Sequence, residues 1–555
     1  MVRVSVKKWF KNGDPWVWFN AGAVAISMVM VFGLLYLIAS RGLVHFWAHD
    51  VMQAQVEAKD GSSYTIIGEM VETVEVSAIQ LRDAGYSIPE GLEHLDRNLI
   101  KLGNRDITGA DFRWILDRNI SDKTYPEDII VMERREWGNF YGYLKQVIEA
   151  DNVVAENDAA WPEFETRLER ALEIYSQIHE IEKGEIGSIN AGMERLRLKQ
   201  RKLELENRLT AQAQAEIAEE RAVLDAQYAG LQDQLIDLYT QINRDKVRVQ
   251  SMDGTQITVD LAKVVNAYQP NAMSLGDKLG FYVAKLYEFV SDEPREANTE
   301  GGIFPAIFGT VLMVIIMSII VTPFGVIAAV YLREYAHQGT LTRIIRIAVN
   351  NLAGVPSIVY GVFGLGFFIY FVGSGIDQAF FPEALPSPTY GTGGLLWASI
   401  TLAILTLPVV IVATEEGLSR IPRSIREGSL ALGATKAETL WRVILPMASP
   451  AMMTGVILAI ARAAGEVAPL MLVGVVKLAP SLPLDGNYPY LHLDQKFMHL
   501  GFHIYDVGFQ SPNVEAARPL VYATSLLLVA VIALLNLSAV AIRNRLREKY
   551  KALEM

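Results

Sequence analysis

The sequence predicts a mainly α, six-helix polytopic membrane protein that carries a large extracytoplasmic α+β insertion. Three observations lead there. The 555 residues are 51% hydrophobic yet 20% charged, with mean hydropathy +0.22, a mixture that suits several apolar spans joined to a sizeable polar domain. Apolar runs of roughly 20 residues or more, long enough to cross a bilayer as helices, recur six times. Charge is also segregated. Residues 42–300 hold 28 Lys+Arg against 47 Asp+Glu, a net −19, and the rest of the chain carries +7, for a total of −12. Such asymmetry calls for separate reading of each part. The absence of cysteine excludes disulfide frameworks, thiolate metal sites and cysteine nucleophiles.

The first run, residues 16–40, follows a short cytoplasmic N-terminus (1–15) with Arg3, Lys7, Lys8 and Lys11. It is uncharged and longer than the apolar core of a secretory signal, so it predicts an uncleaved first span. Five further spans are expected at about 303–331, 347–372, 393–413, 451–476 and 519–542. Trp16, Trp18, Tyr331, Trp397 and Tyr522 mark span ends as interfacial anchors. Pro323, Pro356 and Pro408 are tolerated where neighbouring helices satisfy the freed carbonyls. Basic residues cluster at the N-terminus, at 333–346 (Arg333, Arg343, Arg346), at 414–446 (Arg420, Arg423, Arg426, Lys436, Arg442) and in the 546–555 tail and just before it. The alternate loops hold only Lys477, Lys496 and Arg518. The positive-inside rule therefore puts both termini in the cytoplasm and residues 41–300 outside, periplasmic in a two-membrane cell.

That insertion opens with strand-like text, Gln53–Ala58 and Tyr64–Ile67 around Asp60-Gly61, and further strands are expected near 129–132 and 257–259, the latter after Asp253-Gly254. Between them, from about 162 to 250, the text is helical and charged. Leu224, Leu231 and Leu238 recur every seven residues with Tyr228, Leu235 and Ile242 at the other seam position, a coiled-coil pattern. An earlier arm (Ile174, Ile178, Ile181, then Ile189, Leu196, Leu203) slips register around Gly184–Gly192. An antiparallel hairpin turning near Asn207–Gln214 is expected; one long helix awaiting a second chain is the other reading. The insertion's acidity argues against collecting anions and for docking, sensing or spacing.

Residues 414–446 read as two short amphipathic helices around Gly433, with Leu430, Leu432, Leu440 and Val443 apolar. Beyond Leu445-Pro446 lies the fifth span, and in it Arg462 and Glu466 are the only Arg, Lys, Asp or Glu residues inside any predicted span. At i and i+4 they share a helix face. An ion pair that merely lets the helix insert is one reading, but intramembrane charges are costly and face an interior or a pathway. A guanidinium binds oxyanion oxygens in a fork, and a carboxylate accepts a proton from a protonated oxygen. Hydrogen phosphate offers both features; sulfate near neutral pH lacks the donor.

The 414–446 loop resembles the coupling loop of ATP-binding-cassette importer permeases, Glu-Ala-Ala, three residues, Gly, nine residues, Ile, one residue, Leu-Pro. Here stand Glu427-Gly428-Ser429, Gly433 and Val443-Ile444-Leu445-Pro446 with the spacings kept; Gly-Ser replaces Ala-Ala and Val replaces Ile. The text Ala461-Arg462-Ala463-Ala464-Gly465-Glu466-Val467-Ala468-Pro469-Leu470 is similar to phosphate-importer permeases, as are Gly301–Ala306, Gly309-Thr310, Tyr331–Tyr335 and Val355–Gly361. Leu482–Asn487 and His499–Gln510 favour the PstA-type over the PstC-type subunit. The resemblance covers about 301–545, implies a MetI-like permease fold there, and leaves the insertion without a counterpart in the family's short form.

The resemblance implies that Glu427, Gly428, Ser429, Gly433, Leu445 and Pro446 couple to an ATPase, and that Arg462 and Glu466 line the substrate path. It implies as partners a second permease (PstC-type), an ATPase dimer (PstB-type) and a periplasmic phosphate-binding protein (PstS-type), besides membrane lipids. The chain has no phosphate-cradling Gly-x-x-x-x-Gly-Lys run, so no cofactor is expected in it; ATP and Mg would be held by the partner ATPase. No metal site, catalytic residue or nucleic-acid partner is expected: the histidines form no ligand spacing, and a packing or solvated role suits His492, His499 and His503. A permease for sulfate or molybdate, or a membrane sensor using the insertion, are the alternative functions.

Overall fold

A computed structural model describes residues 10–550 apart from 59, 84, 87, 90, 296, 297, 512 and 513. Arg3, Lys7, Lys8 and the end of the basic tail from Lys551 lie outside the described residues. Six helical stretches among them are long and apolar enough to cross a membrane: Pro15–Phe46, Phe304–Tyr335, Ser357–Phe380, Leu395–Arg420, Lys436–Ala464 and Ala517–Lys549.

The first begins as α1 (Asp14–Leu43). Strands β1 (Val51–Glu57), β2 (Ser63–Ser77), β3 (His94–Lys101), β4 (Phe112–Leu116) and β5 (Ile120–Thr124) form an antiparallel sheet in the order β4-β3-β2-β1-β5. A second antiparallel sheet has the order β10-β9-β7-β6-β11, with β8 beside β7. Its strands are β6 (Ile129–Arg134), β7 (Phe140–Glu149), β8 (Asn152–Glu156), β9 (Asp245–Gln250), β10 (Gln256–Asp260) and β11 (Val264–Tyr268). Both expected Asp-Gly turns are present, with Gly61 and Gly254 at φ +80° and +83°, where a side chain would be strained.

Helix α2 (Ala160–His179) lays Phe164, Leu168 and Ala171 onto Val147, Val247 and Val249 of the second sheet. It continues through a π turn at Glu180–Glu185 into α3 (Ile186–Leu205). The extra residue of a π turn rotates the apolar stripe, next to the place where the sequence pattern slips. The chain turns at 206–210, Thr210 caps α4 (Ala211–Ile242) by accepting from the Ala213 amide, and the helix returns along the first arm. Leu224, Leu231, Leu235 and Leu238 pack against Ile181, Ile189 and Met193. Tyr228 departs from the seam pattern and is exposed. At the α3 end, Lys202 lies 3.7 Å from Glu383, in the turn Pro382–Ala384 between the third and fourth apolar helices.

Asp245 ties the arm to the sheet. Its buried carboxylate accepts from Arg170 at 2.5 Å, and Arg167 donates to Glu149 at 2.7 Å. The Arg167 hydrogen bond holds the Glu149 carboxyl below the usual carboxylate range. Replacing Asp245 with alanine should destabilise the insertion by about 1–3 kcal/mol, because Arg170 loses a charge-assisted bond at a partly buried site. Hydrogen exchange should then speed up in β9 and α2 and leave the apolar helices unchanged; equal protection in mutant and parent would contradict that role.

After β11 comes α5 (Leu275–Ser291), an element the sequence reading did not contain; it leads by a short ribbon into α6 (Phe304–Val330). Phe46, at the end of the first apolar helix, meets Phe289 of α5, and both share a cluster with Ile303 and Ala306. The insertion therefore leaves and rejoins the helical part at neighbouring points.

The third apolar helix does not start at 347. Thr340–Leu352 is a separate amphipathic helix, α7, and the chain breaks at Ala353–Pro356 because proline disfavours helix at the residue before it. The span then begins with α8 (Ser357–Phe363). Helix α9 (Leu395–Arg420) is the centre of the bundle, flanked by α6 and by α12 (Leu445–Ala464). Its residues Trp397, Leu402 and Val410 share a core with Met313, Met317, Val456 and Ile460. Close approach is set by small residues: a side chain at Gly325 would meet Val410, one at Gly417 would meet Ala451, and one at Gly455 would meet Ala413. The last helix packs on α12 and, at Ala523, on Gly42 of α1.

Candidate functional site

The fifth apolar helix differs from the expected 451–476 at both ends. It is helical from Lys436, passes through a π turn at Leu440–Ile444, and runs on as α12. The π turn precedes Pro446, whose ring crowds the carbonyl four residues back and whose missing N–H leaves it unbonded, which disturbs the helix in that turn. At its other end α12 stops at Ala464. Gly465 caps it and the chain resumes helix only at Ala468–Val473. Arg462 thus sits in the last turn of α12, and Glu466 lies just past it in non-helical backbone. Their i,i+4 spacing is not that of one continuous helix, yet the two side chains still meet, Arg462 Nε to Glu466 Oε1 at 3.8 Å, both partly exposed.

The depth of this pair follows from packing. Helices α9 and α12 run antiparallel, with Gly417 opposite Ala451 and Gly455 opposite Ala413 and Val410. Extending that register places Arg462 level with about Leu405. Ten residues of helix, ~15 Å, separate Leu405 from the α9 start at Leu395, about half the hydrocarbon thickness of a bilayer. Non-helical backbone at such depth is tolerated only where protein buries it or a cavity hydrates it. The Tyr360 hydroxyl donates to the Leu352 carbonyl at 2.6 Å. Next to Tyr360, a side chain at Gly361 would strike Pro469 Cα at 2.7 Å. The Val355–Gly361 motif is thereby packed onto Ala468–Leu470, beside the break.

At the other end of the bundle, the loop helix α10 (Arg423–Ala431) carries Glu427, Gly428 and Ser429. Gly433 takes φ +89°, which L side chains disfavour, and so reverses the chain. Thr435 then starts the next helix, α11 (Lys436–Thr439), through a capping box with Glu438. Ser429 and Thr439 hydroxyls meet at 2.9 Å and fix the two arms together. Leu440 and Ile444 turn inward onto Leu418 and Ile421, whereas Leu432 and Trp441 are exposed, at 91% and 73%. The apolar side read from the sequence is thus split: Leu440 anchors the loop and Leu432 projects from its tip. Leu445 and Pro446 lie where the helix from Lys436 becomes α12.

The loop is clasped to the bundle by residues the sequence reading did not single out for that role. Arg426 donates to Glu334 Oε1 at 2.9 Å and to the Leu418 and Ile421 carbonyls. Lys436 donates to the Glu334 carbonyl at 2.6 Å and sits over the Tyr335 ring. Arg346 bonds Glu415 at 2.9 Å and the Leu332 carbonyl. The signal was the motif Tyr331–Tyr335, whose partners are long-range and invisible in local pattern. The buried His499 caps a short helix by accepting from the Gly501 amide, and His492 bonds Asp485 at 2.8 Å.

Residues 321–551 match the family described as binding-protein-dependent transport system inner membrane component. The phosphate transport system permease protein PstA 1 of Mycobacterium tuberculosis (strain CDC 1551 / Oshkosh) is 35% identical over 247 residues, 44% of this chain and 71% of that protein. The chain belongs to the PstA family of importer permeases. The probable phosphate transport system permease protein PstA of Methanocaldococcus jannaschii is 28% identical over 257 residues, 46% of this chain and 79% of that one. Among solved structures, the inward-facing MetNI methionine ABC transporter covers 43% of this chain and 94% of its own, at 18% identity and TM-score 0.32.

As a PstA-family permease the chain is a multi-pass inner-membrane transport subunit and not an enzyme. An importer of this class works with an ATPase and a substrate-binding protein. Residues 42–300 lie outside the matched family region.

Proposed function

We propose that this chain is the PstA-type subunit of an ATP-driven phosphate importer, with Arg462 and Glu466 on the translocation path. The observation that carries the reading is the charge pair held half-way along the bundle at a break in the helix. A span needing no function would use leucine there, since charge at that depth is costly. Arg462 offers its fork to phosphate oxygens, and Glu466 either accepts the proton of hydrogen phosphate or holds the guanidinium. The 35% identical relative named for phosphate transport supports that cargo over other oxyanions.

In this reading a PstC-type permease completes the path and a PstS-type periplasmic protein delivers phosphate. A PstB-type ATPase dimer, which holds ATP and Mg, drives the cycle through the loop 414–446. A short rigid element of this kind transmits closure by rigid-body motion. Both termini face the cytoplasm and residues 41–300 the periplasm, in keeping with the basic loops on one side. The insertion, 41–300, is a separate domain on the permease of 301–545.

The test is uptake by vesicles holding the complete transporter and its binding protein. Labelled phosphate should accumulate only with ATP, and excess sulfate or molybdate should leave that uptake unchanged. Displacement by either anion would assign the path to another oxyanion.

A further inference from the structure

Helix α5 is amphipathic the wrong way round for a helix in water. Leu275, Leu279, Val283 and Tyr287 recur every four residues and each is more than half exposed, with Val290 continuing the row. Gly276, Gly280 and Ala284 fill the rest of that face. Its charges point the other way. Lys278 pairs with Asp50, Lys285 with Glu133 and Glu288 at 2.6 Å, and Glu288 with Arg295 at 2.9 Å. Beyond Asp277, which closes the capping box with Ser274, no charged residue of α5 is exposed. The apolar row spans about 22 Å of helix. Exposed single leucines need no explanation, but a contiguous row with every later charge folded inward marks a covered surface.

Its position says what covers it. The C-terminal end of α5 is hydrogen-bonded onto the entry to α6: the Ile303 amide donates to Phe289 O at 2.9 Å and the Phe304 amide to Asp292 O at 3.1 Å. The end of the first span touches the same helix, with Phe46 5.0 Å from Phe289 and Trp47 6.0 Å from Tyr282 between ring centroids. Leu43 and Val44, at that span end, are themselves exposed apolar residues. Helix α5 is therefore wedged between the ends of two membrane spans, where hydrocarbon gives way to headgroups and where tryptophan and tyrosine concentrate. Its uncharged row continues the lipid-facing surface of those spans.

We propose that the exposed face of α5 is a bilayer-contact surface, seated in the interfacial layer of the lipid and anchoring the insertion to it. The absence of cysteine makes the test direct. Single cysteines replace Leu279, Val283 or Tyr287, with Glu219 on the exposed side of α4 as reference. Each carries a nitroxide in the complete transporter, reconstituted in phosphatidylcholine–phosphatidylglycerol vesicles. The ratio of oxygen contact to water-soluble nickel contact should be several-fold higher at the three α5 positions than at Glu219. A nickel-dominated ratio at all three would overturn the proposal in favour of water. Shielding from both probes would overturn it in favour of a protein partner.

Discussion

Arg462→Gln is expected to reduce ATP-driven uptake by about 10–150-fold while the protein still inserts and assembles. Charge-assisted hydrogen bonds contribute about 1.5–3 kcal/mol each, and ~1.4 kcal/mol is a tenfold change. Glutamine keeps much of the length and polarity but removes the charge and the five-donor fork. Arg462→Lys, which restores the charge as a point and not as a fork, should recover part of the loss. Glu466→Gln divides its two roles. If Glu466 takes the phosphate proton, uptake falls as far as in Arg462→Gln; if it only steadies Arg462, with which it makes a 3.8 Å pair, the loss is smaller. Normal uptake by a stably inserted Arg462→Gln protein would remove both residues from the path.

Leu432→Asp should uncouple transport without touching the path. Leu432 projects from the loop tip almost fully exposed, while Leu440, Ile444 and the Arg426–Glu334 clasp hold the base of the loop. A buried interface anchor contributes about 2 kcal/mol or more, so the permease should bind its ATPase roughly 30-fold more weakly. Stimulated ATP hydrolysis and uptake should fall together, and the ATPase alone should keep its basal rate. Because the substituted side chain is in solvent, protein yield should not change. Unaltered stimulation would place the docking contact elsewhere, with Trp441 the next residue to test.

How much of this was legible in the sequence depended on the range of the interaction. Six apolar helices could be read because crossing a bilayer imposes length and composition locally. The reversal at Gly433 and the Asp-Gly turns were legible because a positive φ favours glycine. Other features escaped. The break after Ala464 was missed although Gly465 stands where the helix ends and Pro469 in the first turn of the next one. Helix α5 was missed because its charges face inward onto Asp50, Glu133 and Arg295, the reverse of the pattern that marks a soluble helix. The clasp of Glu334, Arg426, Arg346 and Glu415 joins residues up to 92 positions apart, and no periodicity reports such a contact. Strands β3, β4 and β7 likewise lacked clean alternation: β7, in the interior of its sheet between β6 and β9, buries adjacent residues at its start.

The meeting of Phe46, Phe289 and Ile303 has a consequence for how such a chain comes to exist. A domain of some 250 residues interrupts the connection between the first two spans, yet its entry and exit are neighbours, as in segments that tolerate insertion. The helical part is asked for no rethreading on its account. An insertion closed in this way can change in length without moving the ends of the two spans that it joins.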